Sequence, residues 1–174
     1  MHRLRQGFAY QAGAGAVTRA AIPANQPSMQ SDRPTEDAIR LDVEALNRFL
    51  DEAFPLQAPD DRGRVTAVSP GHVRMTMLAG DTCLRPGGIV SGPTQMALAD
   101  VAAYALVLAH IGPVAMTVTS SLTIHFLRPC PAGAVTAEAR LLRLGRRIVT
   151  VEVSIWAERP EAPVAQATLA YAQP

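Results

Sequence analysis

The spacing of apolar residues changes three times along this chain, and each change predicts a different element. From Thr35, the residues Ile39, Val43, Leu46 and Leu50 recur at intervals of three and four. Glu36, Asp37, Arg40, Asp42, Glu44 and Arg48 fall between them. Such a period gathers the apolar side chains into one stripe, so an amphipathic helix is expected here, with Thr35 as its N-cap and Pro55 and Pro59 as its stop. Asp60-Asp61-Arg62-Gly63 then reads as a turn. Two short strands are expected over 64–69 and 72–78, joined as a hairpin through Pro70-Gly71.

A glycine-rich loop over 85–93 precedes a second helical stretch, 93–111, which is rich in Ala, Leu and Met and closed by Gly112-Pro113. Between Arg85 and Arg128 the one formal charge is Asp100. A helix that is apolar on nearly every side belongs inside the domain. It is about 28 Å long, but Gln95, Asp100 and His110 interrupt the apolar run that a membrane span needs. Four runs with period-two alternation follow, over 114–127, 134–144, 147–157 and 164–172. One buried helix followed by consecutive antiparallel strands predicts an α+β fold, a curved antiparallel sheet wrapped around one long central helix and hiding its faces.

Composition narrows the possibilities further. The chain has 174 residues, 48% hydrophobic and 18% charged, which suits one domain with a substantial core. Its 16 basic and 15 acidic residues give a formal charge of +1, so it presents no broad field for nucleic acid or an anionic membrane. Cys83 and Cys130 lack the spacing of a zinc or redox site, and two buried thiols suit a reducing cytoplasm. The beginning of the chain differs: His2, Arg3, Arg5 and Arg19 meet no acid before Asp32. Residues 1–34 are therefore expected to be a disordered tail, and 35–174 the folded domain. Gly7 to Val17 is too broken for a secretory core. A transit segment and a start at Met29 are the alternatives.

Ser91-Gly92-Pro93, Leu98-Ala99-Asp100 and Ile124-His125-Phe126-Leu127-Arg128-Pro129 occur in this order around the apolar helix. In these motifs the chain resembles the PaaI-type hotdog thioesterases of phenylacetate degradation, over roughly residues 65–172. The resemblance implies hydrolysis of acyl- or aryl-coenzyme A thioesters without a metal or other cofactor, by a homodimer or a tetramer made of two dimers. Two polar positions depart from the family pattern: Ser91 stands where relatives have histidine, and Arg85 where they have asparagine. Pro93 also replaces the second glycine.

Asp100 is the candidate catalytic carboxylate, because an isolated acid in a neutral segment is desolvated and so becomes more basic. It can activate water or attack the carbonyl, and the residues do not choose; a purely structural bond to backbone or Arg is the alternative. Gly92, Thr94 and Gln95 are the N–H donors at the helix start able to hold an oxyanion, with an ordinary capped turn as the competing reading. Gly92 matches the family's oxyanion glycine. It lies eight residues from Asp100, about 12 Å along the helix and turned roughly 80° away, so one chain cannot bring both to one carbonyl. A site made from two subunits follows. Arg85 can clamp a carboxylate or phosphate, pair with Asp100, or remain solvated. Ser91 is a helix cap or a catalytic aid, and Gly88 lies in the same loop.

Thr117, Thr119, Ser121, Thr123 and His125 alternate with Val118, Ser120, Leu122, Ile124 and Phe126, which predicts one polar strand face. By the resemblance, Thr119 helps place the attacking water. Tyr104 is expected to line the acyl tunnel, and Arg128 and Arg146 to meet coenzyme A phosphates. His110 and His125 read as structural. Two other functions compete: a non-catalytic acyl-coenzyme A binding protein, suggested by positions 85 and 91, and a hotdog hydratase, which the ten-residue gap between Asp100 and His110 opposes.

Overall fold

The structure is a computed structural model and describes residues 35–174. The tail expected over 1–34 lies outside the described residues. Helix α1 spans Val43–Ala53. Its cap is Asp42, whose side chain accepts the Ala45 N–H over 2.9 Å, and not Thr35. The helix cannot begin earlier because the Arg40 and Leu41 N–H groups are committed to the carbonyl of Ala109 at 2.7 and 3.3 Å. The expected turn at 60–63 is a single helical turn, α2, Pro59–Arg62, closed by Gly63 at φ 92°. A Cβ there would lie 3.3 Å from both Leu98 Cδ1 and Met77 Cβ, so glycine is needed for space as well as backbone angle.

Strands β1, Arg64–Ser69, and β2, His72–Ala79, form the expected antiparallel hairpin. The glycine-rich loop contains two elements the residue pattern did not predict, β3 (Leu84–Arg85) and β4 (Ile89–Val90), which pair with each other. Each is only two residues long, too short for alternation to show. The long helix α3 runs over Gly92–Ile111, with Ser91 as N-cap and Gly112 as C-cap. After it come β5 (Val118–Phe126), β6 (Gly133–Leu144), β7 (Ile148–Trp156) and β8 (Ala165–Ala172). The six long strands make one antiparallel sheet in the order β1-β2-β6-β7-β8-β5.

Alternate residues of the sheet point at α3: Val73, Met75 and Met77 from β2, Val135, Ala137 and Ala139 from β6, Val149 to Ile155 from β7, and Ala165 to Tyr171 from β8. The alanines let the sheet approach closely. Ala102 to Ile111 of the helix are all buried against it. α3 is long and apolar enough to cross a membrane, but most of it is enclosed by the sheet. At its end His110 is structural: one ring nitrogen lies 3.0 Å from the Leu106 carbonyl, and the other accepts the Gly71 N–H over 3.1 Å.

Two expectations need correction, and both corrections shape the site. The sheet does not hide every face of α3: Pro93, Met96 and Ala97 stay exposed, and Asp100 and Val101 only half-buried. Their spacing of three and four marks one open stripe on the N-terminal half of the helix. The polar face expected on β5 is also broken. Thr119 pairs with Tyr171 and Ser121 pairs with Ala170, so Ser120 is an extra residue. This bulge reverses the parity. Thr119 therefore faces the helix beside Tyr171, while Ser121, Thr123 and His125 remain on the outer face.

Candidate active site

Asp100 sits on the open stripe of α3, beneath the edge of the sheet where β5 and β8 pair. Both strands supply a hydroxyl. Thr119 Oγ1 donates to Asp100 Oδ1 over 2.7 Å, and Tyr171 Oη donates to the same oxygen over 2.6 Å. The Tyr171 phenol also lies 2.7 Å from the Asp100 carbonyl oxygen. Burial of Tyr171, reinforced by the neighbouring Asp100 carboxylate, pushes its pKa far above the ordinary phenol value, so it stays a protonated donor.

The carboxylate borders a cavity of about 360 Å³, lined among others by Phe54, Ala97, Val101, Tyr104, Val118 and Tyr171. The aromatic wall is packed in series. Tyr104 stacks on Tyr171 with ring centroids 6.1 Å apart, and Phe49 and Phe54 lie against its other sides at 6.4 and 6.3 Å. The Tyr104 hydroxyl donates to the Ala115 carbonyl. Gln57 and Thr117 give this cavity its remaining polar edges.

A second cavity, of about 430 Å³, opens at the start of α3 and is lined by Arg85, Val90, Gly92, Gln95, Phe126 and Arg128 among others. The three candidate donors there are not equivalent. Ser91 caps the helix, its Oγ accepting the Thr94 N–H at 3.3 Å while its carbonyl accepts the Gln95 N–H at 3.1 Å. Among the described residues, no acceptor takes the Gly92 N–H. The Phe126 ring covers Gly92 so closely that a Cβ at this position would lie 3.2 Å from it.

The predicted residues thus fall into separate groups. Asp100, Thr119 and Tyr104 meet at one cavity, and Arg85, Gly92, Gln95 and Arg128 at the other. Thr94 is held inside its own turn, its hydroxyl donating to the Cys83 carbonyl. Gly88 lies on the exposed loop at φ 71°, and lines neither. Arg146 belongs to a third hollow, with Arg143 and Arg147, on the β6–β7 hairpin. His110, far along α3, makes no pair with Asp100. Tyr171 was not foreseen. The available signal was its place at the end of the apolar series Ala165, Ala167, Leu169, as that series' one hydroxyl. Among the described residues no three His, Cys, Asp or Glu side chains gather as a metal site would require.

Residues 87–164 match the family model described as the Thioesterase superfamily. Among solved structures, a provisionally named thioesterase of a Silicibacter species is 38% identical, with a TM-score of 0.72, covering 80% of this chain and 96% of that one. A provisionally named thioesterase of Ralstonia eutropha, described as related to phenylacetic acid degradation, is 28% identical with a TM-score of 0.62 and covers 72% and 98% of the two chains. A provisionally named esterase of Saccharolobus solfataricus is 32% identical over 87 residues, which is 49% of this chain and 57% of that protein.

Proposed function

Because the chain belongs to the thioesterase superfamily, as a PaaI-type hotdog thioesterase, we propose that it hydrolyses acyl- or aryl-coenzyme A thioesters at a site shared between two subunits, with Asp100 as the base. The observation that carries this reading is the Asp100 carboxylate, held on one oxygen by Thr119 and Tyr171 at the rim of a largely apolar cavity. A cavity of that kind suits an acyl group next to a base.

Asp100 takes a proton from water as the water oxygen adds to the thioester carbonyl carbon. The carbonyl electron pair moves onto oxygen, where the Gly92 N–H at the start of the partner's helix stabilises it. The oxyanion then collapses, the C–S bond breaks, and the proton on Asp100 passes to the leaving sulfur. The products are a free acid and the thiol of coenzyme A.

Two subunits are invoked because Asp100 and Gly92 open into different cavities of one chain. The surface between them suits a second copy. Next to the exposed Met96, the edge strand β5 and the turn before it leave Met116, Val118 and Phe126 at 72%, 52% and 50% exposure. An open strand edge flanked by apolar side chains is a ready pairing surface. In this arrangement Arg85 and Arg128 border the partner's base, where a substrate carboxylate or phosphate would meet them. The Arg143, Arg146 and Arg147 hairpin lies at the same sheet end as Thr119, since Ile148, Ala172 and Val118 are paired in a row. The separation across two strand spacings is about 10 Å, which supports the reading that Arg146 meets coenzyme A phosphates.

Release of free thiol from a panel of acyl- and aryl-coenzyme A esters tests the reaction; tight binding without release would favour a non-catalytic carrier. Single turnover in heavy-oxygen water is expected to place the label in the acid product, whereas label retained on Asp100 would point to nucleophilic attack instead. The shared site is tested by mixing Asp100→Asn with Gly92→Val, each inactive alone. A two-fold dimer with random exchange should recover about a quarter of wild-type activity, and no recovery would refute the shared arrangement.

A further inference from the structure

We infer that Tyr171 is a positioning residue for the Asp100 base: together with Thr119 it holds Oδ1 and leaves Oδ2 as the oxygen that takes the proton. This rests on the thioesterase reading above and goes beyond it by distinguishing the two carboxylate oxygens. Both hydroxyl donors converge on Oδ1, at 2.7 and 2.6 Å. Among the described residues no donor reaches Oδ2. Two hydrogen bonds to one oxygen restrict rotation of the carboxylate, so the free oxygen keeps one direction, which is what proton transfer in a fixed geometry requires.

Tyr171 itself cannot drift. It is 1% exposed, and its ring is stacked on Tyr104, which Phe49 and Phe54 support in turn. Its one proton also has two acceptors in range, Asp100 Oδ1 and the Asp100 carbonyl oxygen at 2.7 Å. Directed at Oδ1, the proton holds the ionised carboxylate. Once Oδ2 has taken a proton, Oδ1 keeps its lone pairs and still accepts from Tyr171 and Thr119. The bonding around Asp100 is therefore satisfied both before and after it takes a proton from water, without moving either residue.

Tyr171→Phe removes the hydroxyl and keeps the ring. A hydrogen bond to a charged group is lost, so kcat is expected to fall about tenfold to a hundredfold while KM stays within about twofold. A folded Tyr171→Phe with wild-type kcat, or with its whole loss in KM, overturns the proposal. Asp100→Asn measured in parallel separates the two levels. Activity surviving in Asp100→Asn removes the base assignment itself, whereas an inactive Asp100→Asn beside a fully active Tyr171→Phe removes only the role of Tyr171. Should Tyr171→Phe fail to fold, Thr119→Val and Thr119→Ser read the same oxygen from the other donor. Thr119→Val is expected to lose about tenfold in kcat and Thr119→Ser to keep it; equal kcat in the two overturns the holding of Oδ1.

Discussion

From Ala102 to Ile111 every side chain of α3 is buried against the sheet, whereas between Pro93 and Val101 one side of the same helix stands clear of it. The two halves share a backbone and nearly the same Ala- and Leu-rich composition, yet only the open half carries the candidate chemistry. The buried half is closed by hydrogen bonds at its end, from the Gly71 N–H to the His110 ring and from the Arg40 and Leu41 N–H groups to the Ala109 carbonyl. The open half ends instead in the unpartnered Gly92 N–H and carries Asp100 one residue before the stripe turns inward. The sheet thus determines where the candidate site can open simply by where it stops covering the helix. The firmly packed half keeps the open half in place.

Three substitutions break this contrast at different strengths. Asp100→Asn, in the open half, is expected to cost about a thousandfold in kcat with little change in melting temperature; steady-state kinetics beside a thermal melt would show it, and near-normal turnover would remove the carboxylate from the mechanism. Leu106→Ala, in the buried half, should do the reverse. It leaves a cavity among residues that are 0% exposed, so a loss of about 2–5 kcal/mol in denaturant unfolding is expected, with kcat per folded molecule retained. A kinetic defect in that variant larger than its loss of folded protein would mean the halves are not separable.

The smallest effect concerns the support of the open half from outside. Asp51 on α1 receives Arg62 at 2.6 Å and Arg64 at 3.4 Å, and the Arg62 bond, aided by both positive charges, holds its carboxyl below the usual range. For a carboxyl lowered on folding, the stabilisation is present above its unfolded value and disappears as pH falls through the folded one. Wild-type stability should therefore decline on acidification below the usual carboxylate range, and Asp51→Asn should be less stable near neutrality but flatter across that acid window. Parallel curves for the two proteins would show that this ion pair contributes nothing to acid sensitivity.

Much of the fold was legible because its signals are local. Pro70-Gly71 marked the first hairpin, Gly112 ended the long helix, and the alternation in residues 134–172 gave β6, β7 and β8 nearly to their bounds. Asp100 stood out because it is the one formal charge between Arg85 and Arg128. What escaped was non-local. The start of α1 depends on the Ala109 carbonyl, which claims the Arg40 and Leu41 amides from the far end of another helix. The role of Tyr171 depends on cross-strand register, because an aromatic residue at an inward position of β8 looks like ordinary core until its hydroxyl is placed against Asp100. Unaided alternation likewise put Thr119 with Ser121 on one face. No property of Ser120 as a serine announces that it is the residue left out of the ladder.

That unpaired Ser120 makes the register of the ladder, and not only residue identity, a requirement of the proposed site. Drawing Ser120 into the ladder opposite Tyr171 would leave β5 its hydrophobic inner positions, Leu122 and Ile124, but would invert everything upstream. Thr119 would swing to the solvent side and Ser120 would take its place over the carboxylate. Removing Ser120 outright would instead keep Thr119 opposite Tyr171, so this strand should accept exchanges at position 120, and even its loss, more readily than any change that pulls the residue into line.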